Sequence, residues 1–328
     1  MTSTAFVTGA SGFIGRRVVD RLLRAGIRVR AGVRHPAAAA ALPLHAHCET
    51  VEIDVSDPRS LVDAMRGADT LYHFAAAVTS RMSAEQLLRI NAEGTHNVWM
   101  SAADAGIRRA LYCSSTAVYG LLSQNGRAVT EAVLPRAVEP YGRSKLLGEE
   151  IARRIGAERG VDTIVIRPTA VFGSGEHTHF GGELRNAALS RILLGGGFRN
   201  RHFSFVHVDD VAGAAIHVMQ LEHRPADVFN VVVEPAISYE DAFQMYRIAL
   251  GAAGGRYWRQ RLLAALSVRV ERRPGLARWL HERANRRVAF SVWRPGFDMT
   301  YSSESLRATD YRFLWTDFSA VLRSCMNE

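Results

Sequence analysis

Thr8-Gly9-Ala10-Ser11-Gly12-Phe13-Ile14-Gly15 is the stretch on which the fold turns. It follows Ala5-Phe6-Val7-Thr8, an apolar run that reads as a buried strand. It opens a segment, Gly12 to Ala25, that places Ile14, Val18, Val19, Leu22 and Leu23 on one helical face. Glycines spaced GxxGxxG between a strand and a helix are the setting in which a backbone cradles a dinucleotide. The glycines allow a tight turn and close approach to a pyrophosphate, and the helix N-terminus offers unpaired N–H groups and the positive end of its dipole. Gly9, Ser11, Gly12, Phe13, Ile14 and Gly15 are therefore candidate cofactor contacts. An ordinary glycine-rich strand–helix turn is the competing reading.

Outward from this loop, short apolar runs alternate with helical patterns. Val29–Val33, Val51–Val55, Thr70–Phe74, Ala110–Ser114 and Thr163–Arg167 read as further strands. Helical patterns fall at Ser60–Met65, Gln86–Ala105 and Tyr141–Arg159. That alternation predicts βαβ crossovers and a parallel sheet. The expected fold is α/β, a Rossmann-type doubly wound parallel sheet with a smaller, mainly helical C-terminal substrate domain. The nucleotide-binding domain is expected over 1–172, with segments near 203–221 and 228–233 returning to it, and the substrate domain over most of 173–328.

The end of the second strand bears on cofactor choice. NAD sites place an acid there, against the ribose hydroxyls. This chain has Val33-Arg34-His35-Pro36 instead. The planar fork of Arg34 can pair with a 2′-phosphate, so NADP(H) is expected, with NAD(H) as the alternative and a solvated Arg34 as the plain reading. Asp54, at the end of the third strand with Val55, could accept from an adenine amino group. A turn-forming role within Asp54-Val55-Ser56-Asp57-Pro58 competes.

Lys145 is the single lysine; the other 40 of the 41 Lys and Arg residues are Arg. It stands four residues after Tyr141, on one helix face. Two unit charges ~4 Å apart interact by about 4 kcal/mol at an effective dielectric of ~20. That would bring a phenol of pKa ~10 toward neutrality, ready to exchange a proton with a carbonyl oxygen while hydride moves. A surface i,i+4 pair is the alternative. Ser115, in Cys113-Ser114-Ser115-Thr116 at the end of the fifth strand, is the chosen hydroxyl partner, with Ser114 and Thr116 chemically equivalent neighbours. Ser115, Tyr141 and Lys145 are thus the expected catalytic residues.

Together these residues resemble the extended short-chain dehydrogenase/reductases of the NAD-dependent epimerase/dehydratase superfamily, most closely the dihydroflavonol-reductase and 3β-hydroxysteroid-dehydrogenase-like branch. The resemblance runs over roughly 5–235. It includes His73-Phe74-Ala75-Ala76, Asn91-Ala92-Glu93-Gly94-Thr95, Ser114 to Gly120, Arg167-Pro168-Thr169 and Phe205-Val206-His207-Val208-Asp209-Asp210. It implies that the catalytic hydroxyl, four residues before the tyrosine of Val118-Tyr119-Gly120, is Ser115. It also implies that Phe74, Ala75, Ala76, Asn91, Pro168 and Val171 lie at the cofactor, and that the protein is a homodimer. Sugar-nucleotide epimerases usually carry an Arg for the substrate pyrophosphate where this chain has Phe203, and an Asn where it has Ala170. Arg294-Pro295-Gly296, in contrast, looks like the late Arg of epimerases. The resemblance favours an NADPH-dependent carbonyl reductase acting on a small molecule, with an NAD(P)-dependent sugar-nucleotide epimerase or dehydratase as the alternative. A dinucleotide-binding regulator is a third reading, which the presence of all three catalytic residue types disfavours.

Composition excludes other classes. The chain has 328 residues, 48% hydrophobic and 22% charged, the balance of a globular protein. The net charge of +9 is concentrated between Arg247 and Arg294, where twelve Arg face two acids. One basic segment is not a polyanion-binding surface, so no nucleic-acid partner is expected. Its Arg-and-aromatic stretches, Arg256 to Leu263 and Arg278-Trp279-Leu280, read as a solvated helical face, an approach to an anionic or acyl substrate, or an interfacial helix. No apolar run reaches the length of a membrane span, and no membrane partner is expected. Cys48, Cys113 and Cys325 form neither a disulfide framework nor a metal spacing, and Met1–Ala10 lacks a secretory pattern, so the cytoplasm is the expected compartment. His177 and His179 have no third ligand at suitable spacing, and no metal is expected. With Phe180 they are candidates for the pocket entrance, competing with a plain surface loop.

Overall fold

The computed structural model describes residues 3–43, 45–78, 82–120, 127–175, 201–251 and 298–326. The readings on His177, His179, Phe180 and Arg294, and on the Arg-and-aromatic stretches beyond residue 251, lie outside them.

Among the described residues, seven parallel strands form the main sheet. They are β1 (Thr4–Thr8), β2 (Arg28–Val33), β3 (Cys48–Glu52), β4 (Thr70–His73), β5 (Arg109–Cys113), β6 (Asp162–Pro168) and β9 (Val228–Val231), in spatial order β3-β2-β1-β4-β5-β6-β9. The order reverses beside β1, which is where a doubly wound sheet opens its ligand crevice. Helices α1 (Gly15–Arg24) and α6 (Val208–Gln220) cover one face, burying Val18, Val19, Leu22, Val211 and Val218 against Val7 and Leu111. The opposite face packs α2 (Val62–Met65), α4 (Gly94–Asp104) and α5 (Pro140–Arg159) over Phe6, Leu71, Tyr112 and Val165. Both faces are covered, which is why these strands read as continuous apolar runs rather than alternating ones.

Four details depart from the sequence reading. The third strand runs from Cys48 to Glu52 and not from Val51 to Val55. It is the sheet edge and is half exposed, so its hydrogen-bonding register with β2 sets its limits and apolar alternation does not. The pattern at Gln86–Ala105 resolves into α3 (Ala84–Leu88), a single π turn at Arg89–Glu93, and α4. The strand near 203 does not return to the main sheet. As β8 (His202–His207) it pairs with β7 (Ala170–Phe172) and β10 (Val233–Ser238) in a separate three-stranded sheet. Finally, that sheet gives the described C-terminal part a β framework beneath α7 (Tyr239–Ala249) and α9 (Phe318–Met326). Phe172, Phe203, Phe205, Tyr239 and Phe318 cluster there. Between those two helices in sequence, the short α8 (Glu304–Arg307) returns Leu306 to the core of the main sheet. Among the described residues no helix is long and apolar enough to cross a membrane.

Candidate active site

The glycine loop leaves β1 and enters α1 without a side-chain cap. Among the described residues, the N–H groups of Phe13, Ile14 and Gly15 meet no acceptor, so the helix start is open to an anion. Gly9 has φ +65°, and a Cβ there would stand 2.6 Å from Ala75 N, because the loop runs directly against the chain leaving β4. A Cβ at Gly15 would reach Gly9 O at 2.1 Å. Backbone packed this closely leaves the space in front of the loop to a ligand, and the donor set suits a dinucleotide pyrophosphate.

The other expected contacts border the same crevice. Phe74, Ala75 and Ala76 are half-buried beyond the end of β4; Pro168 closes β6 and Val171 lies on β7. Arg34 is exposed immediately after β2. Asp54 forms the turn weighed as its alternative role: its Oδ1 accepts from Ser56 N at 2.8 Å and Ser56 Oγ at 2.7 Å. Those bonds hold its carboxyl below the usual range, helped by the charges of Arg34 and Arg89. Val55 is buried, with its carbonyl bound by Asn97.

Asn91 is turned inward. Its Oδ1 accepts from Ala77 N at 2.7 Å, and its Nδ2 donates to Ala77 O and to Ser144 Oγ, each at 2.9 Å. An amide spent in this way positions the cofactor-lining loop and does not itself reach outward. It sits on the π turn, a local widening often found at functional sites.

Ser115 and Tyr141 are brought together by the start of α5. Ser115 is extended and caps the short turn Thr116–Tyr119, its Oγ accepting from Ala117 N at 3.2 Å. Its own proton is therefore free to donate. Tyr141, the second residue of α5 after Pro140, lies close enough to Ser115 for the serine hydroxyl to favour its ionised form. The close approach depends on Gly142, where a Cβ would stand 2.5 Å from Ala117 O. Lys145 lies one turn further on, 2% exposed, its Nζ 4.4 Å from the centre of the Tyr112 ring.

The electrostatics differ from the expected depression of the tyrosine. Burial, and next the neighbouring Cys113, push the Tyr141 phenol up, while the nearby Ser115 hydroxyl lowers it. Burial brings Lys145 down to about 8, opposed by Cys113 and Glu149. Desolvation acts against the charged form of each group and is the largest influence on both. The pair rests as neutral phenol beside an amine near its titration point.

A buried layer that sequence reasoning did not assign supports the trio. His73 is 1% exposed, with Nδ1 2.6 Å from Thr8 Oγ1 and Nε2 3.2 Å from Thr95 Oγ1. Thr95 donates to Asn91 O at 2.7 Å, so its oxygen accepts from His73 Nε2–H, and Nδ1 is left to accept from Thr8. Burial, and next Lys145, lower His73 to about 3, which fixes the neutral ring. Only its place in the His73–Ala76 motif hinted at this role. Among the described residues no group of three or more His, Cys, Asp or Glu is placed to hold a metal.

Residues 5–231 match the NAD dependent epimerase/dehydratase family. The chain belongs to that family. A 3-beta-hydroxysteroid dehydrogenase of Mycolicibacterium neoaurum is 30% identical over 215 residues, 61% of this chain and 57% of the relative. Cinnamoyl-CoA reductase 1 of Oryza sativa subsp. japonica is 32% identical over 239 residues, 67% of this chain and 68% of the reductase. The chain spans about half the length of the first curated relatives it matches. Among solved structures, MoeE5 in complex with UDP-glucuronic acid and NAD is 28% identical with TM-score 0.66, covering 76% of this chain and 83% of that one. The UDP-glucose 4-epimerase of Thermus thermophilus, at 20% identity and TM-score 0.75 over 99% of this chain and 98% of the epimerase, shares the fold.

Proposed function

We propose that this family member is an NADPH-dependent reductase that converts a carbonyl of a small-molecule substrate to an alcohol. The observation that carries the reading is Tyr141, set beside Ser115 at the start of α5 and one turn before a buried Lys145, near the crevice that the glycine loop opens. When bound, NADPH supplies the hydride. Tyr141 donates its proton to the substrate oxygen. The free Ser115 proton hydrogen-bonds the same oxygen and orients it. Lys145, as ammonium, offsets the charge left on the phenol as the proton departs.

Phe203 supports reduction over sugar-nucleotide epimerisation. In the epimerase-like reading this position carries a cation for a pyrophosphate. Here it is a fully buried phenyl 4.7 Å from the Tyr239 ring and packed on Phe318 and Phe172. The names of the 3-beta-hydroxysteroid dehydrogenase and cinnamoyl-CoA reductase relatives point the same way. Arg34, exposed where an NAD site would hold an acid, supports NADPH.

The test is a fluorescence titration of purified protein with NADPH and NADH, repeated on Arg34→Asp. The expected result is tighter NADPH binding, weakened about tenfold or more by the substitution through loss of a charged phosphate contact, with NADH little affected. Tightly retained NAD⁺ in the protein as purified, or equal affinities unaffected by Arg34→Asp, overturns the reading.

A further inference from the structure

Beneath Lys145 the fold buries a second charged pair that the proposed chemistry does not use. Glu149 follows Lys145 by one turn of α5 and is 2% exposed; Arg167 projects from β6 and is 3% exposed. Arg167 grips Glu149 with two arms, Nε donating to Oε2 at 3.0 Å and Nη2 donating to Oε1. Its remaining arm, Nη1, donates to Tyr119 Oη at 2.7 Å, and Tyr119 donates on to Asn230 Oδ1 at 2.9 Å. The guanidinium is thereby fixed, and so is the carboxylate it holds.

A buried ion pair is weak evidence for stability, because desolvation cancels much of the attraction. Its use is better sought in what it faces. The ionisable groups around Lys145 come from four elements. His73 on β4 is neutral. Tyr112 and Cys113 on β5 are kept protonated by burial, Cys113 at about 11. Tyr141 and Glu149 share α5 with the lysine, and Arg167 lies behind Glu149 on β6. The Cys113 thiol also favours the charged amine, but at about 11 it stays protonated near pH 8; phenols and imidazole are neutral too, so among these groups Glu149 is the one that carries a full negative charge. The spacing i,i+4 puts it on the lysine's face of α5, and its charge favours the ammonium.

We propose that Glu149, locked in place by Arg167, is the positioning residue that keeps the Lys145 amine cationic in this buried site. Glu149 touches neither substrate nor cofactor in this role; it acts through the lysine. The inference rests on the catalytic reading of Tyr141 and Lys145 only for its consequence, since the charge of Lys145 can be measured without turnover.

The chain contains a single lysine, so protein grown with side-chain ¹³C-labelled lysine gives one Cε signal whose shift reports protonation directly. In the full-length wild-type chain the signal is expected to titrate near pH 8. In Glu149→Gln the midpoint is expected to fall by about one pH unit or more, a tenfold loss of proton affinity. A pair of purely structural value would leave it unmoved. If that variant does not fold, Glu149→Gln combined with Arg167→Met replaces both charges, a change that buried pairs often tolerate; a lowered midpoint is expected there too, because Glu149 and not Arg167 acts on the amine's charge. An unchanged midpoint in a folded variant overturns the proposal. A midpoint that falls while the pH profile of NADPH-dependent carbonyl reduction stays put leaves the charge assignment standing and refutes the Tyr141–Lys145 mechanism instead.

Discussion

Asn91 holds Ala77 by both of its backbone groups, accepting from the N–H at 2.7 Å and donating to the carbonyl at 2.9 Å. The same amide donates to Ser144, whose hydroxyl donates to the Tyr141 carbonyl at 2.8 Å. One side chain thus ties the loop after β4 to the first turn of α5, which carries Tyr141 and Lys145. Asn91→Ala leaves three buried polar groups without this partner, each costing about 1–3 kcal/mol. The variant is expected to lose thermal stability and to lose kcat about tenfold or more, with a smaller change in NADPH affinity. Ser144→Ala cuts only the second link and is expected to fall between the two. Melting curves with steady-state kinetics check this; an Asn91→Ala enzyme that loses NADPH binding but keeps kcat at saturation makes the amide a cofactor ligand after all.

The contrast between Asn91 and Tyr141 shows where the sequence is legible. Tyr141, Lys145 and Ser115 could be chosen because their chemistry is local: a spacing on one helix and a hydroxyl at one strand end. The glycine loop was legible for the same reason, since backbone approach at Gly9 leaves a residue-type signature. Asn91 has the same kind of motif around it, but its direction depends on a π turn that no residue pattern announced. His73 and the Arg167–Glu149 pair depend on contacts across 18 or more residues of separation. The strand at 202–207 was recognisable as a strand, yet its sheet is decided by pairing with β7 and β10, which periodicity does not encode.

Lys145 carries a stability cost that follows from its burial. Its amine has an ordinary pKa of 10.5 in the unfolded chain and about 8 when folded. Below pH 8 both states are protonated and the whole cost of burying the charge is present, on the order of 3 kcal/mol. Between pH 8 and 10.5 the folded state releases its proton first, so stability rises with pH. Lys145→Met is therefore expected to be inactive yet to melt a few degrees higher at pH 7. Its advantage should shrink as the pH is raised above 8. Melting both proteins from pH 6.5 to 9.5 reads this directly, and a lower melting temperature for the variant at pH 7 contradicts it.

Acid sensitivity has its own source. The folded-state pKa of His73 is about 3 and that of His207 about 4, both below the ordinary 6.5 because burial penalises the charged ring. A depressed value means that the stability of the neutral ring is complete above about pH 6.5 and is lost as the pH falls toward the folded value. The chain is expected to lose several kcal/mol between pH 6.5 and 4. His73→Gln keeps one donor and one acceptor for Thr95 and Thr8 without a titrating ring. It is expected to be less stable than wild type at pH 7 but to lose less on acidification. Denaturant midpoints at pH 7, 5.5 and 4.5 decide the matter, and parallel slopes for the two proteins would remove His73 as the source.

Gly142 sets the distance on which the proposed chemistry depends. A methyl group there meets Ala117 O at 2.5 Å, and the obstacle is backbone, which cannot swing aside as a flexible side chain would. Ala117 N is also the group that fixes the Ser115 hydroxyl. Gly142→Ala must therefore move α5 away from the Thr116–Tyr119 turn or distort that turn, and either change moves Tyr141 away from Ser115. Glycine to alanine within a helix otherwise favours folding by up to about 1 kcal/mol, so the net loss of stability is expected to be modest. The loss of kcat is expected to be large, about a hundredfold, because a misplacement near 1 Å at the reacting atoms has that scale of effect. NADPH affinity, which the proposed reading assigns to the glycine loop and Arg34, should change little. A variant with full turnover would show that the two hydroxyls need not touch.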